Sequence, residues 1–293
     1  MSQRLNGQVA LVAGGTRGAG RGIAVELGAA GATVYVTGRT TRSARSDMNR
    51  PETIEETAEM VRSAGGIGIA VRCDHSQASD IGALVAQISG EQGRIDVLVN
   101  DVWGGDPISE WDVPFWQLDA DKIRALWDRA VMTHILTSQQ VAPLMLENGR
   151  GLIVEITDGD GTQYRGSLGY DLVKTAVNRL ALTEAEELRP YGITALAVTP
   201  GFLRSEAMLE GFGVTEANWR DGAKRDPHFI ASETPRFVGR AIAALAADPN
   251  VGSKRGQVLT SWDLAGEYGF DDVDGRRPNW GRYFVENILE ASK

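Results

Sequence analysis

The chain has 293 residues, a formal charge of −9, 42% apolar and 24% charged residues, the balance of a folded domain rather than a disordered one. An acidic surface repels phosphate backbones, so nucleic acid is not an expected partner, and no apolar run approaches the ~18 residues that a membrane span needs. The polar start Met1 to Gly7 carries no secretory pattern, and Cys73 is the single cysteine. A lone cysteine forms no intrachain disulfide, and a reducing, cytoplasmic setting is the expectation.

Short β-branched or apolar runs bounded by Gly, Asp or Pro alternate with longer amphipathic stretches. The first strand is expected over residues 8–13 and a helix over 18–30. A second strand follows at 33–37, then a helix over 52–64 that starts after Pro51, a good first-turn residue. Further strands are expected at 67–73, 97–100, 153–157, 194–199 and 258–261, with helices near 79–89, 121–146 and 170–188. Ser232-Glu233-Thr234-Pro235 announces a late helix that runs to about residue 248. Such alternation over about 250 residues implies one domain, residues 1–293: a doubly wound parallel sheet with helices on both faces and its ligand at the carboxyl ends of the strands. Two stretches break the alternation. Residues 203–232 read as an irregular insertion suited to a substrate lid, and residues 262–293 as an atypical Gly-rich tail carrying Trp262, Tyr268, Trp280 and Tyr283.

The first strand runs into Ala13-Gly14-Gly15-Thr16-Arg17-Gly18-Ala19-Gly20, and a helix follows. Glycines at 14, 18 and 20 permit a tight turn and close approach of backbone to a ligand. The helix start then offers free N–H groups to a pyrophosphate. The second strand ends Thr37-Gly38-Arg39. No acid stands there to hold a ribose 2′-hydroxyl, whereas Arg39 and Arg17 present two guanidinium forks suited to a 2′-phosphate. NADP(H) is therefore the expected cofactor. Tyr170 and Lys174 are four residues apart and share one helix face. The ammonium lowers the phenol's pKa and grips a nicotinamide ribose, while the phenol exchanges the substrate proton.

Over nearly its whole length the chain resembles the short-chain dehydrogenase/reductase family, a Rossmann-type fold. The glycine spacing is similar to that family's Thr-Gly-x-x-x-Gly-x-Gly loop, with Ala13 in place of Thr. Asp96-Val97-Leu98-Val99-Asn100 resembles its fourth strand, and Pro200-Gly201-Phe202-Leu203-Arg204-Ser205 its segment over the nicotinamide. The tail and Phe115-Trp116 are similar to a branch that includes member 1 of the animal dehydrogenase/reductase group. The resemblance implies cofactor contacts from Gly14, Thr16, Arg17, Gly18, Gly20, Arg39, Asp74 (the adenine amino group), Asn100, Tyr170, Lys174, Pro200, Gly201 and Ser205. It implies no metal, and a homodimer or homotetramer. The implied activity is reduction of a carbonyl, or oxidation of an alcohol, on an apolar or ring-containing small molecule. Trp103, Trp111, Trp116 and Trp127 are candidate walls, and Met208, Phe212 and Trp219 candidate lid residues.

Three departures stand out. Asn100-Asp101-Val102-Trp103 replaces Asn-Asn-Ala-Gly. Ala130 occupies the place of the proton-relay Asn, with His134 one turn on as a possible substitute. The catalytic Ser falls on Asp158 when counted forward along the fifth strand, and on Thr157 when counted back thirteen residues from Tyr170. Thr157 is the expected hydroxyl donor, because an ionised Asp opposes the alkoxide that forms on the substrate. The departures leave two rivals: a non-catalytic NADP(H)-binding or sensing protein, and a lyase or epimerase with Asp158 as base.

Overall fold

In the computed structural model the described residues are 4–159 and 161–289. Seven strands, β1 (Val9–Ala13), β2 (Thr33–Gly38), β3 (Ile67–Arg72), β4 (Val97–Asn100), β5 (Gly151–Ile156), β6 (Ile193–Thr199) and β7 (Val258–Thr260), form one sheet. Their order is β3-β2-β1-β4-β5-β6-β7, and every pairing is parallel. The chain starts at the centre, winds outward through β2 and β3, then crosses back to β4. That reversal opens a crevice at the carboxyl ends of β1 and β4, where open α/β sheets take their ligands.

The central strands are buried along their whole length, as sequences such as VALVA and ITALAVT require of strands covered on both faces. On one face pack α1 (Gly18–Ala29), α2 (Ile54–Ser63) and the late helix over Pro235–Ala247, around Leu11's neighbours Ala10 and Val12 together with Ile23, Leu27, Val36 and Ile242. On the other face lie α3 (Ala78–Gln92), α5 (Thr133–Asn148) and α6 (Leu168–Leu188), around Leu11, Leu98, Ile81, Val141 and Ile153. Thr53 caps α2 by accepting the Glu56 N–H at 3.2 Å. Thr234 does the same for the late helix, which has Pro in its first turn.

Three segments differ from the sequence expectation. The helix expected over 121–146 is two helices, α4 (Ala120–Trp127) and α5, joined by a π turn at Asp128–Met132. One wide turn shifts the phase of an apolar stripe by a single residue, so periodicity does not reveal it. The insertion is ordered: it holds α7 (Glu206–Phe212) and two 3₁₀ turns, and α8 (Pro235–Ala247) follows it. The tail likewise folds into α9 (Ser261–Tyr268) and α10 (Trp280–Phe284), continued by a π turn, while residues 290–293 lie outside the described residues. No helix among the described residues is long and apolar enough to cross a membrane.

Candidate active site

A cleft of about 1180 Å³ opens at the carboxyl ends of β1, β4 and β5. Its floor is the β1–α1 turn. Gly14 has φ +89°, and a Cβ there would stand 2.3 Å from the Asp101 carbonyl oxygen. Only glycine fits this approach between the ends of β1 and β4. Thr16, Arg17 and Gly18 continue the lining. Gly20 does not line the cleft: it packs behind Gly14. Arg17 is desolvated, which lowers its pKa against the pull of Glu52, Asp106 and Glu206.

At the far end the cleft is lined by Arg39, Thr40, Ser46, Asp74 and His75. Arg39 Nη2 pairs with Asp47 Oδ1 at 2.6 Å, and Arg129 reaches the other oxygen of that carboxylate at 3.4 Å. A Cβ on Gly38 would meet Thr16 Oγ1 at 2.3 Å and Ile54 Cγ2 at 3.2 Å. The space where a ribose-holding acid would start is thus taken by Thr16. Asp74 accepts the Ser76 N–H and hydroxyl at 3.0 and 2.7 Å. His75, bridged between Thr37 and Thr137 at 2.8 Å each, is kept neutral by burial, its pKa down at about 4.

The other end brings together Asp158, Arg165, Tyr170 and Lys174. Tyr170 donates to Asp158 Oδ2 at 2.8 Å. Arg165 grips the same carboxylate with Nη2 on Oδ1 and Nε on Oδ2, the latter at 3.3 Å. Burial and the Asp158 charge push the Tyr170 pKa well above 10. Lys174 is lowered by burial, opposed by Asp158, Asp101 and Asp106. Its Nζ lies 4.4 Å from the centroid of the Trp103 ring, a cation–π contact, and Trp103 meets Tyr170 edge to face at 5.4 Å. Trp111 leans on Tyr170 from the other side at 5.1 Å.

Thr157 is buried, and its hydroxyl donates to the Lys174 backbone carbonyl at 3.1 Å. This geometry corrects the expectation for the Ser place: Asp158, not Thr157, stands beside the Tyr170 hydroxyl. Asn100 also differs from expectation. Its side chain does not line the cleft but is buried, donating to Ser138 Oγ at 3.0 Å and Glu155 Oε1 at 2.7 Å. His134 is held between Glu155 Oε2 (2.6 Å) and the Val102 carbonyl (3.2 Å), behind the cleft wall, and Ala130 lies in the π turn. Asp101, at the second Asn place, is pushed up to about 7 by burial, against the pull of Lys174 and the Gly20 N–H.

Pro200, Gly201, Ser205 and Met208 close the cleft from the β6 side, with Phe202 and Trp280. Glu233 anchors this segment, accepting from the Gly201 N–H at 3.0 Å and Ser261 Oγ at 2.7 Å. Of the expected lid residues, Phe212 and Trp219 pack instead on buried Phe229. Trp116 and Trp127 are exposed. Arg165 and Glu233 carry no sequence signal: each sits in a segment without periodicity, and its partner is distant or set by loop path.

A parallel sheet with a glycine turn at its topological switch and a Tyr–Lys pair across the crevice defines a dinucleotide-binding α/β protein. The profile of short chain dehydrogenases matches residues 8–212. The chain is 38% identical over 281 residues to dehydrogenase/reductase SDR family member 1 of Mus musculus, covering 93% of this chain and 85% of that one. A solved 7α-hydroxysteroid dehydrogenase complexed with NADH and 7-oxo glycochenodeoxycholic acid has a TM-score of 0.70 at 26% identity, over 88% of this chain and 94% of that one. A metagenomic short-chain oxidoreductase in complex with NADP gives 0.66 at 25% identity, over 88% and 97%. The chain belongs to the short chain dehydrogenase family of oxidoreductases.

Proposed function

We propose that this chain is an NADP(H)-dependent oxidoreductase that interconverts a carbonyl and an alcohol on an apolar or ring-containing small molecule. The observation that carries the reading is that Tyr170 and Lys174 meet in the same cleft as the Gly14–Gly18 turn. The cleft fits a dinucleotide: Gly14 leaves a cradle that a Cβ would fill, and the residues around it span from Asp74 to Pro200. Gly14, Thr16, Arg17 and Gly18 would hold the pyrophosphate, Asp74 the adenine, and Pro200, Gly201 and Ser205 the nicotinamide side. Gly20 and Asn100 would support the cradle from behind. The cofactor supplies hydride exchange with a carbon of the substrate. Preference for the 2′-phosphate is favoured by Arg39 and Arg17, and by Thr16 filling the space beside Gly38.

Within the site, Tyr170 exchanges a proton with the substrate oxygen, and Lys174 holds positive charge beneath it. Asp158 takes the place of the usual Ser, with its carboxylate on the Tyr170 hydroxyl. Thr157 ties the end of β5 to α6 and so fixes the position of Lys174. Trp103, Phe202, Met208 and Trp280 offer apolar walls. Residues 203–232 form the cover, and Trp280 and Ile288 of the tail complete the wall. A homodimer or homotetramer in the cytoplasm remains the expected setting.

The test is a screen of ring-containing ketones and secondary alcohols, followed by NADPH absorbance, with cofactor binding measured separately by fluorescence. Tyr170→Phe should retain cofactor affinity and lose about 10²–10⁴-fold in turnover. Tight NADPH binding with no turnover of any compound would favour the binding-protein rival. Near-normal turnover by Tyr170→Phe would remove this residue from the chemistry.

A further inference from the structure

A phenol has one proton to donate, and its oxygen can also accept. Tyr170 spends its proton on Asp158 Oδ2, at 2.8 Å. An ionised carboxylate only accepts, and Arg165 is the counter-ion that lies across both oxygens of Asp158. The rest of Tyr170 Oη therefore offers lone pairs to the cleft. A bound hydroxyl satisfies them. A bound carbonyl oxygen sets two acceptors against each other, and that costs affinity. The family's usual Ser imposes no such rule, because a hydroxyl donates or accepts as needed.

We propose that Asp158, with Arg165 as its counter-ion, turns Tyr170 into a hydrogen-bond acceptor toward the substrate, so that the site takes a secondary alcohol in preference to the matching ketone. This rests on the oxidoreductase reading above and gives that site a direction. The alcohol O–H proton passes to Tyr170 Oη while the Tyr170 proton passes to Asp158 Oδ2. The carbinol C–H bond breaks, its hydrogen leaving with both electrons to the oxidised nicotinamide, and the carbon–oxygen bond becomes double. Asp158 ends protonated and returns the proton to solvent through the open cleft. The reverse path, reduction, starts from the form in which Asp158 carries the proton and Tyr170 donates to the carbonyl. The charged groups facing Tyr170 are Asp158 and Arg165 from the β5–α6 loop, Asp106 after β4, and Lys174 one turn further along α6. Asp171 accepts the Arg165 N–H at 2.9 Å and holds the loop from α6. A purely structural Asp158–Arg165 pair would pin the loop without this preference.

Two measurements decide. The first needs neither cofactor nor substrate. Tyrosine absorbance is titrated for wild type and for Asp158→Ser, each against its own Tyr170→Phe counterpart, which isolates Tyr170 among the six tyrosines. Tyr170 should stay protonated well above the ordinary phenol value of about 10 in wild type, and ionise at clearly lower pH in Asp158→Ser. Equal titration in the two overturns the proposal. The second measurement takes 1-phenylethanol with the NADPH-loaded protein and acetophenone with the NADP⁺-loaded protein, both unreactive pairings. Wild type should favour the alcohol, and Asp158→Ser should move the affinity ratio about 10-fold or more toward the ketone. A ketone preference in wild type, or a ratio unmoved by Asp158→Ser, also overturns it. A protein that binds neither nicotinamide cofactor refutes the oxidoreductase reading instead, and the tyrosine titration still decides the hydrogen bond.

Discussion

The proposed preference for NADP(H) turns on Arg39, and the structure sets how much that residue can contribute. A hydrogen bond to a charged group is worth ~1.5–3 kcal/mol, which taken alone makes Arg39→Ala weaken NADPH by roughly 10- to 150-fold. Arg39 is not idle before binding, however. It pairs with Asp47 at 2.6 Å, with 34% and 46% of the two side chains exposed. A pair that exposed is screened and worth ~0–1 kcal/mol, and a 2′-phosphate must displace it. The net loss on Arg39→Ala is then about 1–2 kcal/mol, or about 5- to 30-fold. Asp47→Ala should do the reverse, tightening NADPH by a few-fold, because it removes both a competitor and a negative charge. NADH should respond to neither change. Fluorescence titration of both nucleotides against wild type and the two variants, repeated at raised salt, is the assay. Equal weakening of NADPH and NADH by Arg39→Ala refutes the reasoning, as does weaker NADPH binding in Asp47→Ala.

Thr157→Val deletes only the bond to the Lys174 carbonyl, so it should cost about 1 kcal/mol of stability and leave turnover within several-fold; loss of most activity at unchanged cofactor affinity would return Thr157 to the chemistry. Glu233 is pushed up to about 8 by burial, above its unfolded value. Its stabilising contribution is full below about pH 4 and lost as pH rises through about 8. Thermal melts should therefore fall between these limits in wild type and fall less in Glu233→Gln. Arg204 is fully buried, bonded to Glu216, Asp274 and the Ser232 carbonyl and stacked 4.1 Å from the Trp219 ring. Its partners keep solvent or Arg276, so Arg204→Met should cost about 2 kcal/mol, read as a melting point lower by roughly 4 °C and faster proteolysis within residues 203–232.

The alternation that announced the sheet was legible because the inner strands are short apolar runs covered on both faces, while the edge strands β3 and β7 are only partly buried. The strand expected at 97–100 coincides with β4, where Asp96 and Asn100 bound three apolar positions. The ordered insertion was not legible. Its longest helix, α7, has seven residues, too few for a 3.6-residue period to declare itself, and its stability comes from Arg204 and Phe229 rather than from pattern. Tyr170 and Lys174 were legible because four residues on a helix fix a shared face whatever surrounds it. The Ser place was not, because successive residues at a strand end point in opposite directions and counts from the two sides disagreed by one. One offset decides whether a hydroxyl or a carboxylate meets the phenol, and only the path of the loop past Gly159 resolves it.

The departures from the family pattern also belong together physically. Glu155 lies in a core strand with no exposure, a costly place for a carboxyl unless its oxygens are bonded. Both are: Asn100 reaches one oxygen and His134 the other. Glu184 adds a second carboxyl against Glu155, and burial followed by the Glu155 charge drives the Glu184 pKa well above 4.5. The retained Asn100 is thus engaged by a residue the sequence pattern did not single out, and His134 is committed to the same cluster rather than to the cleft. Such a set changes as a unit. Replacing Glu155 alone by an apolar residue would leave an amide and an imidazole without partners in the core. Restoring Asn at Ala130 would place a polar side chain in a π turn whose Ala130 and Val131 are buried. The Asp158–Arg165 pair is the corresponding unit on the cleft side. Arg165 alone would bring an unpaired cation against Lys174, and Asp158 alone an unpaired anion against Asp106, so each substitution is tolerable chiefly because the other is present.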